Sequence, residues 1–162
     1  MLNFFNARTR KPSDSEHTRG IFHSIDVDFT HPICIVTDRR DKFVDMIRWL
    51  SADKADAIVV GVENVDILKS LDFSYVFLDL DTISLFDQQN IISLFELRER
   101  NPSKIVICLS SEFHRDDFGQ TRLAICDSSL KIPFSLQRLE MALTSAEHNN
   151  KYWCERCEQF SR

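Results

Sequence analysis

Glycine is scarce in this chain. Only Gly20, Gly61 and Gly119 occur in 162 residues, and they lie far apart. No G-x-G-x-x-G turn and no Walker A loop can be built from them, which excludes dinucleotide binding by that fingerprint and P-loop nucleotide hydrolysis. Long apolar runs are also missing. None approaches the roughly 18–20 residues of a membrane span, and Met1-Leu2-Asn3-Phe4-Phe5 turns polar and basic too soon for a signal peptide. An excess of positive charge is absent as well. Twenty Lys and Arg face 25 Asp and Glu, a net charge of −5, so no domain-wide basic field is available for nucleic acid. The five cysteines are an odd number, and Cys34 and Cys108 sit inside apolar runs. Such thiols serve as small core hydrophobes, and no disulfide framework is indicated. A cytoplasmic protein is expected.

What is present is a core-forming composition, 43% hydrophobic with 28% charged residues, in a length that suits one domain plus tails. Residues 1–31 read as a flexible tail. Asn6 to Arg19 holds no apolar residue beyond Ala7 and cannot offset its ordering entropy. Ile21, Phe22, Ile25, Val27 and Phe29 offer a short segment for packing. From Pro32 the pattern becomes regular. Ile33–Val36, Ala57–Val60, Tyr75–Leu78 and Ile105–Leu109 are short, wholly apolar runs, and Ser129–Ile132 reads as a short fifth strand before Pro133. Helical spacing lies between them: residues 40–53, Val65 to Leu71, Ile91 to Leu97, and Leu136 to Leu143. Residues 112–124 read as a weak helix broken near Gly119. Strands apolar on both faces mark a parallel sheet covered by helices on each side. Five β–α alternations give an α/β, doubly wound, five-stranded parallel sheet in three layers. The domain is expected over residues 32–147, with a C-terminal tail over 148–162.

In such a sheet, reactive groups gather at the carboxyl ends of the strands. Asp38 closes the first strand, Asp79 the third and Ser110 the fourth, and the chain bends at Pro133 after the fifth. Carboxylates held close attract a hard divalent cation, and Mg²⁺ is commonly held by one or two of them. A strand-end aspartate is a candidate nucleophile toward a phosphoryl donor, and Ser110 is placed to bond a phosphoryl oxygen. Taken singly, each of these is simply a polar residue meeting water at the end of a strand.

Residues 33–145 resemble the receiver domain of two-component response regulators. ICIVTD is similar to that family's first strand and acidic end, VFLDLD to the third strand with its phosphoacceptor, IVICLSS to the fourth strand with its hydroxyl residue, and ICDSSLKIPFS to the fifth strand and the start of the last helix. The resemblance implies a flavodoxin-like fold and an aspartyl phosphate on Asp79. It also implies Mg²⁺ held by Asp38, Asp79 and the backbone carbonyl of Asp81, with Ser110 as switch hydroxyl. Implied partners are a sensor histidine kinase, a phosphotransfer protein or another signalling protein. Neither nucleic-acid binding by the domain itself nor membrane insertion is implied, and homodimerisation is left open.

The departures from the family pattern are specific. Thr37 stands where the family has the first of two adjacent acids, and Ile132 stands where it has a lysine before proline. Lys131 is the nearest lysine. Neighbouring strand residues face opposite ways, so Lys131 replaces the usual one only if a bulge shifts the register. Ser129 takes the aromatic switch position, and the loop after Asp79 lacks Met-Pro and glycine. Losing a charge-assisted bond costs about 1.5–3 kcal/mol. These losses lean the reading toward a pseudo-receiver, a stand-alone adaptor acting by protein contact through its last helix and fifth strand, over a phosphoacceptor.

An alternative lies in Asp79-Leu80-Asp81-Thr82, which resembles the first motif of haloacid-dehalogenase-type phosphohydrolases, with Asp79 as nucleophile and Asp81 as general acid/base. That motif belongs on a first strand with threonine one place later. Cys154-Glu155-Arg156-Cys157 with His148 is too small a ligand set for a structural zinc site, and reads as a polar tail with two incidental thiols. Arg8, Arg10, Lys11 and Arg19 read as a solvated tail.

Overall fold

The computed structural model describes residues 32–52, 56–62, 68, 72–83 and 88–160. The expected N-terminal tail lies outside these, as does all of the expected second helix except Leu68. The strands are β1 (Ile33–Val36), β2 (Ala57–Val60), β3 (Tyr75–Asp79), β4 (Ile105–Ser110) and β5 (Ser128–Lys131). They form one sheet in the order β2-β1-β3-β4-β5, and every pairing is parallel. This is the flavodoxin-like order, whose direction of winding reverses between β1 and β3. The crevice opened by that reversal lies where Thr37, Asp38 and Asp79 leave their strands.

Two apolar layers sandwich the sheet. On one face, Ile33, Ile35, Tyr75, Phe77, Ile107, Leu109 and Leu130 meet α1 (Val44–Ala52) and α3 (Leu136–Phe160). The other face carries Cys34, Val36, Val76, Leu78, Val106 and Cys108, and packs on Leu94 and Leu97 of α2 (Gln88–Arg100). A 3₁₀ turn, Arg40–Phe43, leads into α1 and buries Phe43. Strands β1 and β3 are buried along their whole length, which explains their unbroken apolar sequence.

Two stretches depart from the sequence reading. Residues 112–124 form no helix. The chain there makes an antiparallel bridge, Asp117 to Ser129, with backbone bonds in both directions of 2.9 and 2.8 Å. The Asp116 carboxylate accepts from the Lys131 backbone N–H and pairs with Arg138. The Arg122 guanidinium donates to the Ser129 hydroxyl at 2.7 Å. Side chains that bond backbone in this way compete with helix formation.

The second departure is the C-terminus. Residues 148–160 continue α3, which runs for 25 residues, about 37 Å. Ser135 caps its start, its hydroxyl accepting from the Arg138 N–H at 3.3 Å. Asn149 donates to the carbonyls of Phe118, Gly119 and Asp127, and Asn150 to those of Pro102 and Lys104. Both amides are buried, and they fasten the helix to loops at the sheet's amino-terminal end.

Candidate functional site

The site is built on the ends of β1, β3 and β4. Asp79 is the last residue of β3 and is fully buried. Its carboxylate is saturated. Oδ2 accepts from the Thr37 hydroxyl at 2.7 Å and from Arg39 Nε at 3.1 Å. Oδ1 accepts from Arg39 Nη2 at 2.6 Å and from the Asp81 N–H at 3.3 Å. An ionised carboxylate offers about four lone-pair directions, and four donors fill them. The guanidinium lies side-on in a two-pronged grip, the strongest geometry for this pair.

The loop after β1 is shaped to deliver that arginine. The Thr37 hydroxyl donates to Asp79 and accepts from the Arg39 backbone N–H at 2.9 Å. This closes a small turn that sends the Arg39 side chain back over the strand ends. The same Nη2 reaches Asp81 Oδ2 at 3.0 Å. Asp81 is bound from its other side by the Ser110 hydroxyl at 2.6 Å and the Ser111 N–H at 2.9 Å. Burial alone would raise the Asp81 carboxyl, but hydrogen bonds from Ser110, Ser111 and Arg39 outweigh it and hold the group well below the usual carboxylate range. The Arg39 guanidinium is raised in turn, chiefly by its bond to Asp79.

The structure thus brings Asp79, Asp81 and Ser110 together, with Ser110 joined to Asp81. Asp38 is exposed and faces elsewhere, its carboxylate accepting from the Val62 N–H at 3.0 Å. Lys131 pairs with Ser110 in an unbroken β4–β5 register. No bulge shifts β5, so Lys131 shares the side of the sheet occupied by Ser129 and Cys108, while Ile132 packs against the core around β3. Thr82 bonds the backbone carbonyl of Asp79 at 3.0 Å.

Such a donor set does not fit Mg²⁺ as it is arranged. That ion needs carboxylate oxygens free to approach to about 2.0–2.1 Å. Here the oxygens of Asp79 are taken, Asp38 is turned away, and a guanidinium already sits between Asp79 and Asp81. Among the described residues, no three His, Cys, Asp or Glu side chains gather as metal ligands.

Arg39 is the residue that sequence reasoning missed. Its signal was available: a strand end lacking the first of two acids is followed at once by Asp38-Arg39-Arg40, a cation beside converging carboxylates.

No family model matches this chain, and no curated protein matches it. Solved structures do. The receiver domain of the Francisella response regulator 1452 superposes with a TM-score of 0.54 at 18% identity, covering 73% of this chain and 97% of that one. The receiver domain of the Saccharomyces cerevisiae response regulator Ssk1, solved with the histidine phosphotransfer protein Ypd1, gives 0.54 at 21% identity over 70% and 86% of the two chains. A response regulator from Thermotoga maritima gives 0.53 at 19% identity over 73% and 98%. The fold is that of a response-regulator receiver domain.

Proposed function

We propose that this chain is a receiver-fold signalling domain that works by binding another signalling protein, with Asp79 engaged in an ion pair instead of serving as phosphoacceptor. One observation carries the reading: the Arg39 guanidinium spans Asp79 and Asp81. An aspartate that attacks phosphorus needs a free lone pair in line with the leaving group, and Asp79 has none spare. The aspartyl-phosphate reading requires Arg39 to swing out, Asp38 to turn in, and a cation to come from somewhere other than Lys131.

The partner class is supported by the Ssk1 receiver, which was solved bound to a histidine phosphotransfer protein. A cavity of about 690 Å³ between α1 and the turn into α3 offers a partly apolar seat, lined by Phe43, Met46, Trp49, Ile132, Pro133 and Phe134. Met141, half exposed on α3, adds apolar surface on the last helix. A cytoplasmic location belongs to this reading, and no helix among the described residues is long and apolar enough to cross a membrane.

The hydrolase alternative gains no support. Its acid/base, Asp81, is held as a carboxylate and committed to Ser110, Ser111 and Arg39.

Incubation with a small phosphodonor and Mg²⁺, followed by intact-mass measurement, tests the proposal. No phosphoryl adduct is expected, and partner binding is expected to be unchanged by Asp79→Asn. A stoichiometric adduct that Asp79→Asn abolishes would overturn it.

A further inference from the structure

We propose that Arg39 is the resident cation of this pocket: it supplies the charge neutralisation that a divalent metal would supply, and by doing so keeps metal out. The inference rests on the reading of Asp79 as ion-paired. It goes further, because it assigns the side chain responsible and says what the pocket becomes without it.

A single atom carries the argument. Arg39 Nη2 lies 2.6 Å from Asp79 Oδ1 and 3.0 Å from Asp81 Oδ2, so it occupies the point from which one positive charge reaches both carboxylates. The Asp79 side chain is fully buried, and that of Asp81 is only 9% exposed. Two such charges demand a counter-ion. The rest of the pocket cannot provide one. Thr37, Ser110 and the backbone N–H groups of Asp81 and Ser111 are neutral donors, Asp38 is turned to Val62, and Lys131, beside Ser110 on β5, forms an ion pair with neither carboxylate.

Removal of the guanidinium would free Asp79 Oδ1 and Asp81 Oδ2 together. The remaining bonds, from Thr37 to Asp79 and from Ser110 and Ser111 to Asp81, still aim both carboxylates at the same point. Mg²⁺ keeps several of its waters and takes only one or two carboxylates from a protein, so Asp38 is not needed. The pocket without Arg39 is therefore a divalent-cation site that the native chain fills from within.

The test uses the full chain, as native protein, Arg39→Ala, Arg39→Gln and Arg39→Ala/Asp79→Asn. Thermal and urea unfolding are followed with MgCl₂ or MnCl₂ against NaCl of matched ionic strength. Mn²⁺ binding is read directly by the loss of the free-ion electron paramagnetic resonance signal. The native protein should show no cation-specific change. The Arg39 variants should unfold more readily in NaCl and recover with the divalent ion, the folded-to-unfolded ratio rising about 11-fold when the free cation is ten times its dissociation constant. The double variant should lose the response. Arg39→Gln keeps the side chain's bulk and an amide donor, and so covers the case in which Arg39→Ala does not fold. Arg39 variants indifferent to both ions, or a native protein that binds Mn²⁺ equally well, would overturn the inference. Phosphorylation of the native protein would instead defeat the function proposed above while leaving the unfolding comparison to stand by itself.

Discussion

At the scale of single residues, the pocket is a set of charges whose balance depends on pH. The Asp81 carboxyl is held below its ordinary value of 3.8, so folding binds fewer protons there than unfolding does. The stability this contributes is fully present above the ordinary value and drains away as the pH falls below it toward the depressed folded one. Urea unfolding of Asp81→Asn should therefore show lower stability than the native protein at pH 7. The difference should narrow as acid protonates the native side chain. Thiols give a second readout. Burial pushes the Cys34 thiol up to about 11, so it is almost entirely protonated and unreactive near neutrality. A colourimetric thiol reagent at pH 8 should label Cys154 and Cys157, which are only half buried, well before Cys34. Denaturant should be needed to expose Cys34, Cys108 and Cys126. Residue types alone predicted that Asp79 and Ser110 would meet at the strand ends. They did not predict that Arg39 would enter between the carboxylates. That depends on Thr37 bonding both the Asp79 carboxylate, 42 positions away, and the Arg39 backbone N–H; the local sequence puts a cation beside the strand end but does not fix where its side chain goes.

At the scale of elements, the strongest feature lies away from the candidate site. Arg98 of α2 is 1% exposed and grips Asp127 with two bonds of 2.6 and 2.5 Å. Asp127 also accepts from the Val106 N–H at 2.8 Å, and the Trp153 ring lies 4.9 Å from the Arg98 guanidinium carbon. The cluster ties α2, β4, β5 and the far half of α3 together. Removing one partner leaves a buried charge unmatched, so Asp127→Ala or Arg98→Ala should cost about 3–5 kcal/mol in urea unfolding, against a much smaller cost for the exposed Arg48→Ala. Four of the strands were legible because their apolar runs of four or five residues suit a buried strand and are too short for a helix; β5, Ser128–Lys131, has no such run. The far half of α3 was less legible. Asn149-Asn150 looks like the end of a helix, yet Leu139, Ala142, Leu143, Ala146, Asn149, Asn150 and Trp153 keep helical spacing throughout. Polar residues on the inner side of a helix hide its periodicity, and their purpose appears only when the carbonyls they serve are in view. The 112–124 segment misled for the opposite reason. Its intermittent apolar residues suit a helix, but Asp116 and Arg122 spend their side chains on α3 and β5, and Asp117 spends its backbone on Ser129.

For the whole molecule, the two faces of the sheet are sealed by different means. One face carries α1 and α3, joined to the sheet through a continuous apolar cluster. The other carries α2 and a cluster rich in valine, leucine and cysteine. Strands β1 and β3 are enclosed on both sides, and their amides should be the slowest to exchange with deuterated solvent, those of β2 and the 112–124 segment the fastest among described strands and loops. An exchange pattern in which β5 outlasts β3 would contradict this arrangement.

The bridge between Asp117 and Ser129 has a further consequence for assembly. A parallel sheet ordinarily ends in a row of unspent backbone groups, an invitation for another chain to add a strand. On β5 that invitation is withdrawn. The Ser129 N–H is given to the Asp117 carbonyl and the Lys131 N–H to the Asp116 carboxylate, so a visiting strand would find no donors there. Growth of the sheet past β5 is closed, and a protein that seeks this side must read side chains instead of extending the backbone ladder. Recognition there is a matter of surface chemistry, which sequence can vary, and not of strand pairing, which almost any extended chain can satisfy.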